Sequence, residues 1–164
     1  MEREQVISII RFYGDVDNAV RMNERVIKNL QDQYYNTLGA VNMDGMPHGK
    51  GGVSSGVERA VLHIPASVTA TIEALERENR TLANLKAEIL TEFNRLTFPQ
   101  RAVLLGFYVE RRQWGQIAEQ VNYSPRQCRN IRKEALKLLG GRIERNKPLY
   151  KALKSCGIFD FPEK

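Results

Sequence analysis

From Val16 onward the apolar positions fall in a regular rhythm. Val16, Val20, Asn23, Ile27, Leu30 and Tyr34 are separated by four, three, four, three and four residues. Positions so spaced line one narrow stripe of an α-helix, the seam of a helical hairpin or a coiled coil. Val68, Ile72, Leu75, Asn79, Leu82, Lys86, Ile89, Phe93 and Leu96 repeat the rhythm and predict a second long helix over Ala66 to Leu96, with Pro65 at its start or kinking an extension from Val57. Asn79 sits in the seam, where a polar residue fixes register at some cost in stability. Lys86 is expected to lay its stem on the seam and keep its ammonium in water. Glu2 to Phe12 reads as a short helix ending before Gly14, after which Asp15 or Asp17 caps the first long helix. The two stripes can pack on each other as an antiparallel hairpin or on a second copy of the chain, and the pattern leaves both open.

Between them, Gly39 to Gly56 carries six glycines in eighteen residues and predicts a loop or linker. Its GKGG lacks the spacing of a phosphate-binding loop. The pattern divides the chain into a helical region over 1–96 with a loop at 39–56, a second region over 97–147, and a tail over 148–164 with a short helix and an apolar end at Ile158, Phe159 and Phe161.

After residue 96 the elements shorten. Thr97-Phe98-Pro99 opens a helix whose apolar side is Ala102, Val103, Leu104, Phe107 and Tyr108, running to about Val109. Glu110 to Gln113 is a polar connection. Trp114 to Val121 is a short helix with Ile117, Ala118 and Val121 inward, and Asn122 suits a left-handed turn residue. Tyr123 plugs the turn. Ser124 then caps a longer helix, with Pro125 at its first position and Gln127 reaching back in a capping box. Cys128, Ile131, Ala135 and Leu138, with Leu139, form the inner face of that helix. A short helix, a tight turn and a longer helix are the parts of a helix-turn-helix, whose second helix enters the DNA major groove.

Charge sharpens this picture. The chain has a formal net charge of +6, and the excess is local. Residues 97–147 hold 11 Lys/Arg and 4 Asp/Glu, whereas residues 1–96 hold 11 and 13. The basic segment is the one carrying the turn, which points to double-stranded DNA as partner. Arg126, Gln127, Arg129, Asn130 and Lys133 lie on the outer face of the last helix and are the expected base-reading residues. Arg126 or Arg129 suits guanine, and Gln127 or Asn130 suits adenine. Arg111, Arg112, Arg132, Lys137, Arg142 and Arg145 are assigned to phosphates.

From Thr97 to Leu139 the sequence resembles the C-terminal promoter-binding region of bacterial sigma factors, region 4. Ser124, Arg129, Asn130, Ile131, Lys133, Ala135, Leu136 and Lys137 match that pattern in type. Over about Val16 to Leu139 the chain resembles the ArpU/RinA-like phage transcription regulators. These share its plan of an N-terminal helical region, a GMPHG-type loop (Gly45 to Gly49), a long helix and a sigma-like motif (WGQIAEQVNYS). The resemblance implies a DNA-binding activator of late phage or prophage genes, with RNA polymerase as a further partner. Pro125 and Arg126 stand where sigma factors usually have Arg and Glu, so the usual promoter preference does not carry over. Gln113 replaces the customary Ser cap.

The expected class is therefore all-α, a sequence-specific transcription regulator, with a small terminase subunit as the alternative. A homodimer through 16–38 and 66–96 is a further expectation. No apolar run is long enough to span a membrane, and the N-terminus does not read as a signal peptide. A cytoplasmic location in a bacterial host cell follows, with Cys128 and Cys156 unpaired. His48 and His63 lack partners at metal-ligand spacing, so no metal or cofactor is expected. Glu88 and Glu92 share a helix face but read as solvated charges, and no catalytic motif is present.

Overall fold

The computed structural model describes residues 1–39 and 65–158. The chain is all-α: α1 (Arg3–Gly39), α2 (Ala66–Asn94), α3 (Phe98–Tyr108), α4 (Trp114–Val121), α5 (Pro125–Arg145) and α6 (Lys147–Ser155), with no strand among the described residues. The glycine-rich loop from residue 40 onward, His48, His63, Phe159 and Phe161 lie outside the described residues. No described helix is long and apolar enough to cross a membrane. The chain forms two compact units, Met1–Asp17 with Leu82–Lys164, and Asn18–Thr81. This grouping cuts the chain elsewhere than the pattern-based divisions after residues 96 and 147.

Gly14 does not end a helix, contrary to expectation. α1 runs through it without a break. A single glycine costs a helix about 1 kcal/mol relative to alanine, and here the missing side chain is a packing requirement. A Cβ at Gly14 would stand 2.8 Å from Val109 Cγ1.

In the Asn18–Thr81 unit the two seams meet each other. Asn23 Nδ2 donates to Asn79 Oδ1 at 2.9 Å, pairing the polar position of one stripe with that of the other. Every apolar stripe residue here (Val20, Ile27, Leu30, Tyr34, Val68, Ile72 and Leu75) is only half-buried. Beside the seam, Met22 and Val26 are 66% and 45% exposed.

The other unit has two apolar clusters. The larger gathers Val6, Ile7, Ile9 and Ile10 from α1, Leu85, Ile89 and Phe93 from α2, Leu104 and Tyr108 from α3, Ala135, Leu136, Leu139 and Ile143 from α5, and Leu149 and Leu153 from α6. The smaller comprises Val103, Ile117, Ala118, Val121 and Cys128. Thus α5 is gripped twice, near its start by α3 and α4 and further along by the larger core. It packs closely on α1 at Gly140, where a Cβ would lie 2.9 Å from Val6 Cγ2. Of the two leucines expected inside, Leu139 is fully buried while Leu138 is 44% exposed, and Leu136 joins the inner face at 4%. The inner face turns as the helix passes from one cluster to the other, which a single stripe of apolar residues does not reveal.

Two charged residues have partners that the pattern does not show. Lys86 is partly buried. It pairs with Asp17 and lies 5.3 Å over the Tyr13 ring. Glu92 is 1% exposed rather than solvated. Its carboxylate accepts from Arg95 Nη1 at 3.0 and 3.2 Å and from Asn146 Nδ2 at 3.2 Å. Asn146 in turn caps α6 by accepting from the Leu149 N–H. A buried carboxylate is tolerable only when paired and hydrogen-bonded, and Glu92 has both while it ties α2 to the α5–α6 junction. Glu88, its expected companion, is exposed.

Candidate nucleic-acid interface

The short connection between α4 and α5 is set by backbone chemistry. Asn122 ends α4 in the left-handed region (φ 55°, ψ 41°), which asparagine adopts more readily than most residues. Its N–H reaches the carbonyls of Ala118 and Glu119, and the Tyr123 N–H reaches Ala118 O at 3.1 Å. Ser124 Oγ then accepts from the Gln127 N–H at 3.2 Å, and Pro125 occupies the first helical position. Gln127 does not return the bond, so only half of the expected capping box forms. Tyr123 is 40% exposed and does not plug the turn. At the start of α4 the Gln116 side chain accepts from the Gln113 N–H at 3.0 Å, offsetting the missing serine cap.

With Cys128 and Ala135 held inside, the opposite face of α5 is fixed. Arg126, Asn130, Lys133 and Lys137 follow one another at helical spacing and are all exposed. They make a stripe roughly 16 Å long at 1.5 Å per residue. Gln127 is exposed on its flank, beside a shallow depression lined by Ser124, Arg126, Gln127, Asn130, Ile131 and Glu134. Of the five expected base-reading residues, four stand free on or beside this face: Arg126, Gln127, Asn130 and Lys133.

Arg129 differs. Its guanidinium carbon lies 5.6 Å from the centroid of the Trp114 ring. Trp114 is stacked on Phe107 at 4.6 Å with the planes 24° apart. The Arg132 guanidinium lies 4.9 Å over Phe107 and 5.1 Å over Trp114. Its Nε is buried without a hydrogen-bond partner. Arg132, expected at a phosphate, is thus part of the packing that joins α3, α4 and α5. Nothing in the spacing of apolar residues shows this aromatic platform. The available signal is two arginines on the side of α5 that faces the only tryptophan of the chain.

The remaining expected phosphate contacts are scattered. Arg112 is paired with Glu110 at 2.6 Å and donates to Gln120 Oε1 at 3.1 Å. Arg111 is exposed beside it, with a left-handed φ of 55°. Such a conformation costs a non-glycine residue about 1 kcal/mol or more. Arg142 is half-buried and about 24 Å along the helix from Arg126. Arg145 folds back to donate from Nε to Gly141 O at 2.9 Å. Lys137 is the phosphate candidate that lies on the stripe.

Cys128 sits beneath this surface with no exposure. Burial pushes its thiol above the usual range, only partly opposed by a backbone hydrogen bond, which keeps it the neutral apolar residue the cluster needs. Among the described residues no three His, Cys, Asp or Glu side chains are grouped to hold a metal ion. No protein family, curated protein or solved structure matches the chain.

Proposed function

We propose that the chain is a sequence-specific DNA-binding transcription regulator, with α4, the turn and α5 acting as a helix-turn-helix. The observation that carries this reading is the exposed stripe Arg126, Asn130, Lys133 and Lys137 on a helix whose opposite face is locked into two apolar clusters. An α-helix fits the B-DNA major groove, and Arg and Asn are the side chains that bond guanine and adenine there in bidentate fashion. Docking of the start of α5 places Arg126, Gln127 and Asn130 over base edges, with Lys137 further along at the backbone. Arg111, exposed on the α3–α4 connection, is a second phosphate contact. The sigma-like and ArpU/RinA-like features of the sequence make activation of phage or prophage genes, with RNA polymerase, the biological setting that fits this chemistry. A second copy bound through the half-buried hairpin stripe would present two recognition helices to a two-fold operator.

Selection from a pool of random duplexes with the purified protein tests the reading. The expected result is one enriched sequence bound at least a thousandfold more tightly than unrelated duplex, on the order typical of specific binders. Binding that shows no preference and is lost by about 200 mM salt is the behaviour of a basic surface alone and would overturn it.

A further inference from the structure

We infer that Trp114 is the positioning residue for Arg129 at the DNA surface, so that part of the sequence preference is set from α4 rather than from α5. This rests on the DNA-binding reading above. An exposed arginine must give up most of its rotamer freedom to make a bidentate contact. Arg126, on the open stripe, gives it up on binding. Arg129 is already placed, with its guanidinium over the face of Trp114. The ring is itself held, stacked on Phe107 and with Arg132 over both rings. Arg129 remains exposed while it rests on the ring, so its N–H groups stay open to a guanine edge or a phosphate.

Two measurements test this, and they separate its failure from failure of the DNA reading. In the free protein, Trp114 is the sole tryptophan, so its emission reports the platform directly. Arg129→Gln is expected to shift that emission and raise quenching by acrylamide; an unchanged spectrum and quenching constant would show that Arg129 does not rest on the ring. On the selected duplex, Trp114→Leu is expected to weaken binding about 2- to 5-fold, the factor that a cation–π contact of about 0.5–1 kcal/mol gives. Trp114→Phe, which keeps an aromatic face and the stack, is expected to recover most of that loss. Placed on the Arg129→Gln background, Trp114→Leu is expected to cost nothing further. An equal loss on both backgrounds means that Trp114 acts through the fold alone and overturns the inference. Failure to enrich any duplex overturns the DNA reading and the positioning role with it, whatever the emission shows.

Discussion

The two compact units pack by the same device, apolar stripes on helices, yet reach different degrees of closure. In the Met1–Asp17 and Leu82–Lys164 unit, Ile9, Ile10, Ile89, Phe93, Leu104, Leu139, Ile143, Leu149 and Leu153 have no exposed surface at all. In the Asn18–Thr81 unit, no stripe residue is better than half-buried, and the seam passes through an Asn23–Asn79 hydrogen bond. The reason is geometric. A stripe with a single partner helix is covered from one side, whereas Phe93 belongs to a cluster to which α1, α3, α5 and α6 all contribute. Free energy from burial scales with area removed from water, so stability should concentrate in the first unit, the one that carries α4 and α5. The hairpin is left as the part that gains most from additional cover.

Truncation gives the largest expected contrast. Phe93→Ala should cost about 3–5 kcal/mol, as for other fully enclosed aromatic residues. Ile72→Ala, at a half-exposed seam position, should cost roughly 1 kcal/mol, in line with its smaller buried area. Urea denaturation followed by circular dichroism measures both. Equal losses would mean that the hairpin seam is as closed as the core and would break the comparison. Glycine substitutions come next and are expected to differ in sign. Gly140→Ala brings a Cβ to 2.9 Å from Val6 Cγ2. Overpacking of about 1–3 kcal/mol there should exceed the helix-propensity gain of about 1 kcal/mol. At Gly115 nothing lies within 4 Å of an added Cβ, so Gly115→Ala should raise stability by roughly 0.5–1 kcal/mol.

Much of this architecture is legible in the residues, because periodicity reports faces. The long stripes, the short elements after residue 96, the left-handed Asn122 and the Ser124 cap all follow from local rules acting on local sequence. The misses share another cause: each depends on what a distant element brings. Gly14 reads as a breaker until Val109 is seen against it. Glu92 reads as solvated until Asn146, fifty-four residues away, reaches its carboxylate. Leu138 reads as inner but is exposed, and Leu136 is buried, because α5 serves two cores. At the candidate site the exposed stripe was readable from helical spacing. The stacking of Arg129 and Arg132 on Trp114 and Phe107 was not, since charge composition counts an arginine alike whether it is free or parked on a ring.

The seam asparagines give a smaller test of the hairpin. Asn79→Leu leaves Asn23 without its partner and should destabilise the hairpin by about 1 kcal/mol. The double change Asn23→Leu with Asn79→Leu replaces both polar groups and should restore or exceed the original stability. A double variant less stable than either single one would show that the pair holds the hairpin together rather than setting its register.

The smallest expected effect concerns closure within the first unit itself. Cys128 is enclosed by the smaller cluster and Cys156 is exposed. A thiol reagent at neutral pH should therefore label Cys156 quickly and Cys128 only on unfolding. Burial penalises the Cys128 thiolate and raises its pKa, so on raising the pH the unfolded chain ionises before the folded one. The stability contributed by Cys128 is thus complete below the usual thiol range and declines as pH rises through about 8.5–9 and beyond. Cys128→Ala should flatten that part of the stability profile while leaving the acid side unchanged. If the wild-type protein shows no loss between pH 8 and 10 beyond that of Cys128→Ala, water reaches the thiol, and the cluster beneath the α4–α5 turn is less closed than its packing indicates.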